Sequence, residues 1–229
     1  MARKKVVRSS GDVREHPRYS LEDASHYLRI PLSTMKAWVK GQHYRSGATG
    51  RVVHFSPLIV PASPSQGLLS FYNLAEAHVL RATRERNVPL RNVRRALQYI
   101  REQLPDNPHP LISYEFSTFG KQVFIDHLGV TINATAHGQT AMRKMLEEYL
   151  RRIDRDTHGM PVQIYPMNTH QIAINPMLSS GQPVVKGTRI MAAVLAARNK
   201  AGESYDELVQ EYRLTPTQIE QAITEYEAA

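Results

Sequence analysis

The chain predicts a mainly α protein with small β-hairpins, an α+β arrangement, and three observations carry that prediction. Capping boxes recur ahead of apolar runs of helical spacing, at Ser20/Asp23, Ser204/Glu207 and Thr215/Gln218. Each lets side chains satisfy the backbone N–H groups that a helix start leaves open. Short alternating stretches beside Gly and Pro suit hairpins rather than a continuous sheet. Finally, regions near both ends read as closely spaced short helices, the spacing of a helix-turn-helix unit.

At 229 residues and 41% apolar content the chain can fill genuine cores. It has no cysteine, no apolar run of transmembrane length and, after Met-Ala-Arg-Lys-Lys, no apolar signal-peptide core, so the expected location is the cytoplasm. Net charge is +8, unevenly spread: residues 1–100 carry 17 Lys/Arg against 6 Asp/Glu, and residues 101–229 carry 12 against 15. A basic front half of this kind suits phosphate and salt-dependent DNA binding, although such a surface also serves solubility.

Residues 1–18 read as a basic flexible N-terminus and 19–104 as a DNA-binding unit. Leu21, Ala24 and Leu28 line one face of a first helix, which ends before Ile30-Pro31. In the next, Leu32, Met35 and Val39 pack beside Trp38, while Ser33, Thr34, Lys36, Ala37 and Lys40 are the candidate DNA contacts. Small polar groups, a methyl for thymine and two ammoniums are what a major-groove helix needs. Gly41 stops this helix, and Arg45, Gly47, Gly50 and Arg51 lead to Val52, Val53 and Phe55 as a β-wing would.

Ser56–Gly67, with Pro57, Pro61 and Pro64, is long for a tight wing and reads as a mobile loop. Two helices follow. Asn73 and Glu76 open the first; Pro89 opens the second, whose stripe is Leu90, Val93, Leu97, Ile100 and Leu104. Arg84, Arg86, Arg91, Arg94 and Arg95 serve either as phosphate contacts or as a solvated face.

Residues 110–166 form a middle segment. Ile112, Tyr114 and Phe116 alternate, as do Val123 and Ile125 around a Phe119-Gly120-Lys121 turn, which predicts a β-hairpin. An amphipathic helix follows, with Met142, Met145, Leu146, Tyr149, Leu150 and Ile153 inward; such a stripe fills a core or seals a dimer.

Residues 170–229 read as a tri-helical module with helix starts near Arg189, Tyr205 and Pro216 and with Thr188 capping the first. Seven acidic residues and the single basic Arg213 from Ala201 onward make its last two helices a poor phosphate surface, so the module is assigned to protein contacts. No phosphate-binding glycine loop, nucleophile elbow or zinc-protease motif is present, so neither catalysis nor a cofactor or metal site is expected.

Two resemblances extend this reading. Residues 172–226, on the N-P, G-Q-P-V-V-K-G-T-R-I, A-G-E-S-Y-D-E-L and L-T-P-T-Q-I segments, resemble the family called domain of unknown function 433. That resemblance implies a VapB-type antitoxin of a type II toxin-antitoxin system, paired with a PIN-like ribonuclease toxin. Arg189, Arg198 and Arg213 are then the candidates to meet the toxin's metal-holding carboxylates.

Residues 19–103, on Y-S-L-E-D-A-S-H-Y-L-R-I-P-L-S-T-M-K-A-W, L-S-F-Y-N-L-A-E-A-H-V-L-R-A and V-P-L-R-N-V-R-R-A-L-Q-Y-I, resemble the MerR-type winged helix-turn-helix. It implies a homodimer on operator DNA, with Ser33, Thr34, Lys36 and Lys40 on the recognition helix reading bases and Arg45 and Arg51, on or near the wing, holding phosphates. The alternative is a stand-alone transcriptional regulator without a toxin partner.

Overall fold

The computed structural model describes residues 11–45, 52–132 and 136–228. Helix α1 (Leu21–Leu28) starts at the Ser20/Asp23 capping box and ends on Arg29, in the left-handed region at φ 50°. Helix α2 (Leu32–Lys40) follows after a three-residue turn and stops at Gly41. Strands β1 (Gln42–Arg45) and β2 (Val52–Phe55) then pair antiparallel, with Gln42 opposite Phe55. Gly41 is obligatory here: its φ is +76°, and a Cβ would sit 2.2 Å from the Phe55 carbonyl oxygen.

The stretch after the wing is pinned rather than mobile. Leu58 and Ile59 are buried, and their N–H groups donate to the Trp38 carbonyl at 2.7 and 3.1 Å. Asn73 holds the next turn, accepting from the Ala62 N–H and donating to the Val60 carbonyl. Buried apolar side chains and satisfied backbone outweigh the proline content.

Helix α3 (Phe71–Glu85) begins one turn earlier than expected, at a Ser70/Asn73 capping box, so Asn73 is its third residue and not its cap. Helix α4 (Leu90–Gln103) buries Val93, Ala96, Leu97 and Ile100.

The expected hairpin at 112–125 is absent. Pro110–Ile112 is a 3-10 turn, Phe116–Gly120 a π-helical turn, and α5 spans Lys121–Ile132. Ile112, Phe116, Phe124 and Leu128 are buried while Tyr114 is 59% exposed. The burial period is therefore four, not two; a short apolar run fits either template until its neighbours choose. The hairpin of this region lies after α6 (Ala136–Arg151), where β3 (Ile153–Arg155) pairs with β4 (Pro161–Ile164).

Residues 11–18 are also ordered, contrary to the flexible arm expected. Asp12 caps a short turn, and Arg14 pairs with Asp12 at 2.8 Å and with Asp156 at 2.7 Å. The expectation for residues 1–10 lies outside the described residues.

In the C-terminal module β5 (Ile172–Ala173) pairs with β6 (Val184–Val185), ahead of α7 (Ala192–Lys200), α8 (Tyr205–Tyr212) and α9 (Pro216–Glu227). Helix α7 starts three residues beyond the expected Arg189, and Thr188 is not its cap. The Thr188 hydroxyl instead accepts from the Ile190 N–H and donates to the Val185 carbonyl, closing the preceding turn. Ile172, Val185, Leu195, Leu208 and Ile219 centre a small core of their own, beside the large one formed by α1–α6, and Tyr226 packs against both.

Candidate nucleic-acid interface

Helix α2 buries Met35, Trp38 and Val39, which leaves Ser33, Lys36 and Lys40 exposed and Thr34 half-buried. Lys36 makes only a loose 3.9 Å pair with Glu22, both side chains well solvated, an interaction of little weight. Ala37 departs from expectation. It is 8% exposed and lines the wall of a cleft, so its methyl is not offered freely to a base. The side chain of Arg45 and the whole of Arg51 lie outside the described residues.

That cleft is what the sequence reading missed. Ser33, Thr34, Ala37 and Trp38 form one side; Thr83, Arg84, Asn87, Val88 and Leu90, from the α3–α4 corner, form the other. Asn87 adopts a left-handed conformation at φ 52°, and the Asn87 and Val88 N–H groups return to the carbonyls of Arg84 and Thr83. This is a helix C-terminal motif that Asn tolerates without the usual side-chain penalty. The Arg-Asn-Val-Pro run was its signal in the sequence.

The cleft gathers positive charge from the backbone as well as from a side chain. Both α2 and α4 begin on proline, Pro31 and Pro89, and neither start is capped by a side chain. Uncapped helix starts present backbone N–H groups and the positive end of the helix dipole, a combination suited to phosphate. Arg84, exposed on the cleft wall, adds a full charge to these partial ones.

The arginines of α4 divide into two sets. Arg94 donates to the Ser56 carbonyl and lies over the Phe55 ring at 5.1 Å; Arg101 donates to the Leu58 carbonyl at 2.6 Å. Burial lowers the pKa of both guanidinium groups. They tether the base of the wing, whereas Arg91 and Arg95 are exposed.

In the C-terminal module Arg189 and Arg213 are exposed. Arg198 is engaged internally: Glu211 and Glu203 hydrogen-bond to it, which raises its pKa, and Tyr212 adds a bond at 3.0 Å. Among the described residues no group of three or more His, Asp or Glu is placed to hold a metal ion, and no helix is long and apolar enough to cross a membrane.

Comparison with known proteins agrees with this division. Residues 17–97 match the family described as "Putative DNA-binding HTH domain" and residues 172–226 the one described as "Protein of unknown function (DUF433)". The chain is thus similar to a helix-turn-helix family over its N-terminal part and to the DUF433 family over its C-terminal part. It is 27% identical over 224 residues to "Putative antitoxin VapB45" of Mycobacterium tuberculosis (strain ATCC 25618 / H37Rv), covering 90% of this chain and 92% of that one. The X-ray crystal structure of Rv2018 from Mycobacterium tuberculosis has the same fold, with a TM-score of 0.68 at 24% identity over 91% of this chain and 98% of that one.

Proposed function

We propose, from a DUF433 domain set behind a helix-turn-helix domain, that this chain is the antitoxin of a type II toxin-antitoxin system. In this reading a cytoplasmic dimer binds operator DNA through MerR-like winged helices and represses its own operon. The DUF433 module captures and blocks a PIN-like ribonuclease. Ser33, Thr34 and Lys36 face the bases; Lys40, Arg45, Arg51 and Arg84 hold phosphates; Arg189 and Arg213 are the free guanidiniums for an acidic partner. No step of this requires catalysis by the chain itself.

The observation that carries the DNA half is the cleft, in which exposed Ser33 and half-buried Thr34 share an electropositive space with Arg84 and two uncapped helix starts. The partner half is supported by the relative named as an antitoxin and by the acidic last helices, which leave that module unsuited to DNA. Affinity capture from the native host with the full chain, followed by ribonuclease assay of any stoichiometric partner, tests it. A small metal-dependent nuclease that regains activity when separated from this chain is the expected result. Recovery of only the chain and its DNA, from cells shown to express the neighbouring genes, selects the stand-alone regulator.

A further inference from the structure

Helix α9 ends against the turn that aims α2. Arg29, in the turn, sends its Nη2 to the Glu225 carbonyl at 2.8 Å, within the last turn of α9. A guanidinium there satisfies an open carbonyl and complements the negative end of the helix. The His26 ring meets Tyr226 edge-on at 4.6 Å, and Tyr226 is shared by the two cores.

The grip continues along α1. Tyr27 Oη donates to Gln182 Oε1 at 2.6 Å, Tyr19 Oη to the Gly181 carbonyl at 3.1 Å and Arg18 to the Pro176 carbonyl at 2.8 Å. Gly181 is where the surfaces meet most closely, since a Cβ there would lie 2.3 Å from Tyr19 Oη.

Two features set this junction apart from ordinary packing. First, it bears on the element whose angle decides what α2 can reach. The turn of Arg29, Ile30 and Pro31 is otherwise held by backbone bonds to Ser25 and His26, by the Ser25 hydroxyl on the Ile30 carbonyl and by the buried Ile30 side chain, and α2 has no side-chain cap to fix its start. Second, two polar atoms at the junction, Arg29 Nε and Glu225 Oε2, are shielded from solvent and bonded to no protein group. Each raises the free energy of the docked arrangement. The C-terminal core is built of apolar side chains, so the docked arrangement is expected to open before that core does.

We infer that α9 is a strut for the reading helix: Arg29 and Tyr226 are positioning residues that hold the α1–α2 turn, so the docking of α9 and the affinity for DNA are linked. The link rests on the reading of α2 as the DNA helix; the strut itself does not.

Amide hydrogen exchange on the full chain, paired with titration of duplex DNA from immediately upstream of its own coding sequence, tests both levels. Tyr226→Ala and Arg29→Ala are expected to speed exchange in the α1–α2 turn and in α2, leave α4 and α6 unchanged, and weaken DNA binding about 10-fold, within the usual range of coupling between sites. Tyr226→Phe, which keeps the ring contact, and Arg29→Lys, which keeps a donor, restore most of both. Unchanged exchange in α2 overturns the strut. Faster exchange with unchanged affinity overturns the link to DNA. A wild-type chain that fails to bind the duplex sinks the DNA reading itself, while the exchange data still decide the strut.

Discussion

The N-terminal and C-terminal modules differ most at the starts of their helices. Helices α1 and α3 carry capping boxes, but α2 and α4, which face the cleft, begin uncapped on Pro31 and Pro89. In the C-terminal module α7 also starts without a side-chain cap, on Met191, but the acidic α8 and α9 both carry boxes, at Ser204/Glu207 and Thr215/Gln218. The backbone and side chain of Ser204 hold the Glu207 carboxyl below its ordinary pKa, so α8 already has an anion at its start. A helix that caps itself has spent the groups a phosphate would bind. The same short-helix architecture therefore gives two uncapped starts beside one cleft at one end of the chain and two self-capped acidic helices at the other.

The cores differ as well, and acid should separate them first. The buried polar residues Ser70, Asn73, Glu76, His78, Thr83, Asn92, Ser113 and Arg152 all lie outside the DUF433 module. His78 is buried between α3 and α6, with Nε2 3.2 Å from the Tyr149 carbonyl. Burial, then the charges of Arg152 and Arg81, push its pKa down to about 3. The native state thus keeps His78 neutral where the unfolded chain takes up a proton, so its stabilising effect is complete above pH 6.5 and drains away as pH falls towards 3. The slope is about 1.4 kcal/mol per pH unit in that window. Trp38, the one tryptophan of the chain, reports on the N-terminal core. Its fluorescence should shift at a higher pH than the exchange protection of α7–α9 is lost, and His78→Gln should flatten the slope. Simultaneous loss in both modules breaks the contrast.

Charge reversal is the next largest effect. Lys36→Glu with Lys40→Glu should weaken binding to the upstream duplex about 100-fold and lower the salt slope by roughly 1, the share of the phosphate-side Lys40. Both residues are exposed, so circular dichroism should be unchanged. Glu220→Lys with Glu227→Lys, the opposite change on exposed positions of α9, should leave affinity within about 3-fold, since that face does not reach DNA. Equal responses from both pairs would mean that overall charge, not the α2 surface, governs binding.

A smaller effect falls on the cleft wall. Arg84→Ala should cost about 10-fold in affinity, reduce the salt slope by about 1, and act alike on every duplex, the pattern of a phosphate contact. Ser33→Ala should instead alter preference among duplexes. An Arg84 effect that depends on sequence would move that residue from phosphate to base.

Local devices were the legible part of this chain. The boxes at Ser20, Ser204 and Thr215, the stop at Gly41 and the packed face of Met35, Trp38 and Val39 need only neighbours within a turn, and the structure has each of them. What escaped depends on partners far along the chain. Period two or period four at Ile112–Phe124 is decided by what covers it. Arg94 became a wing tether because Ser56 and Phe55 fold back to it, and Ala37 sank because the α3–α4 corner stands beside it. The cleft needed residues some fifty positions apart, and no spacing rule joins Thr34 to Arg84.

The smallest effect sharpens the contrast between capped and open starts. Thr215 Oγ1 accepts from the Gln218 N–H at 3.2 Å, and the Gln218 side chain returns to the Thr215 N–H at 2.9 Å. Thr215→Ala removes one half of that exchange and should destabilise α9 by about 1 kcal/mol. Because the loss falls on the first turn of α9 and the strut lies in its last, urea unfolding followed by exchange at α9 should register it while DNA affinity stays at the wild-type level. A drop in affinity matching that at Tyr226 would mean that α9 supports the reading helix as a whole body and not through its final turn.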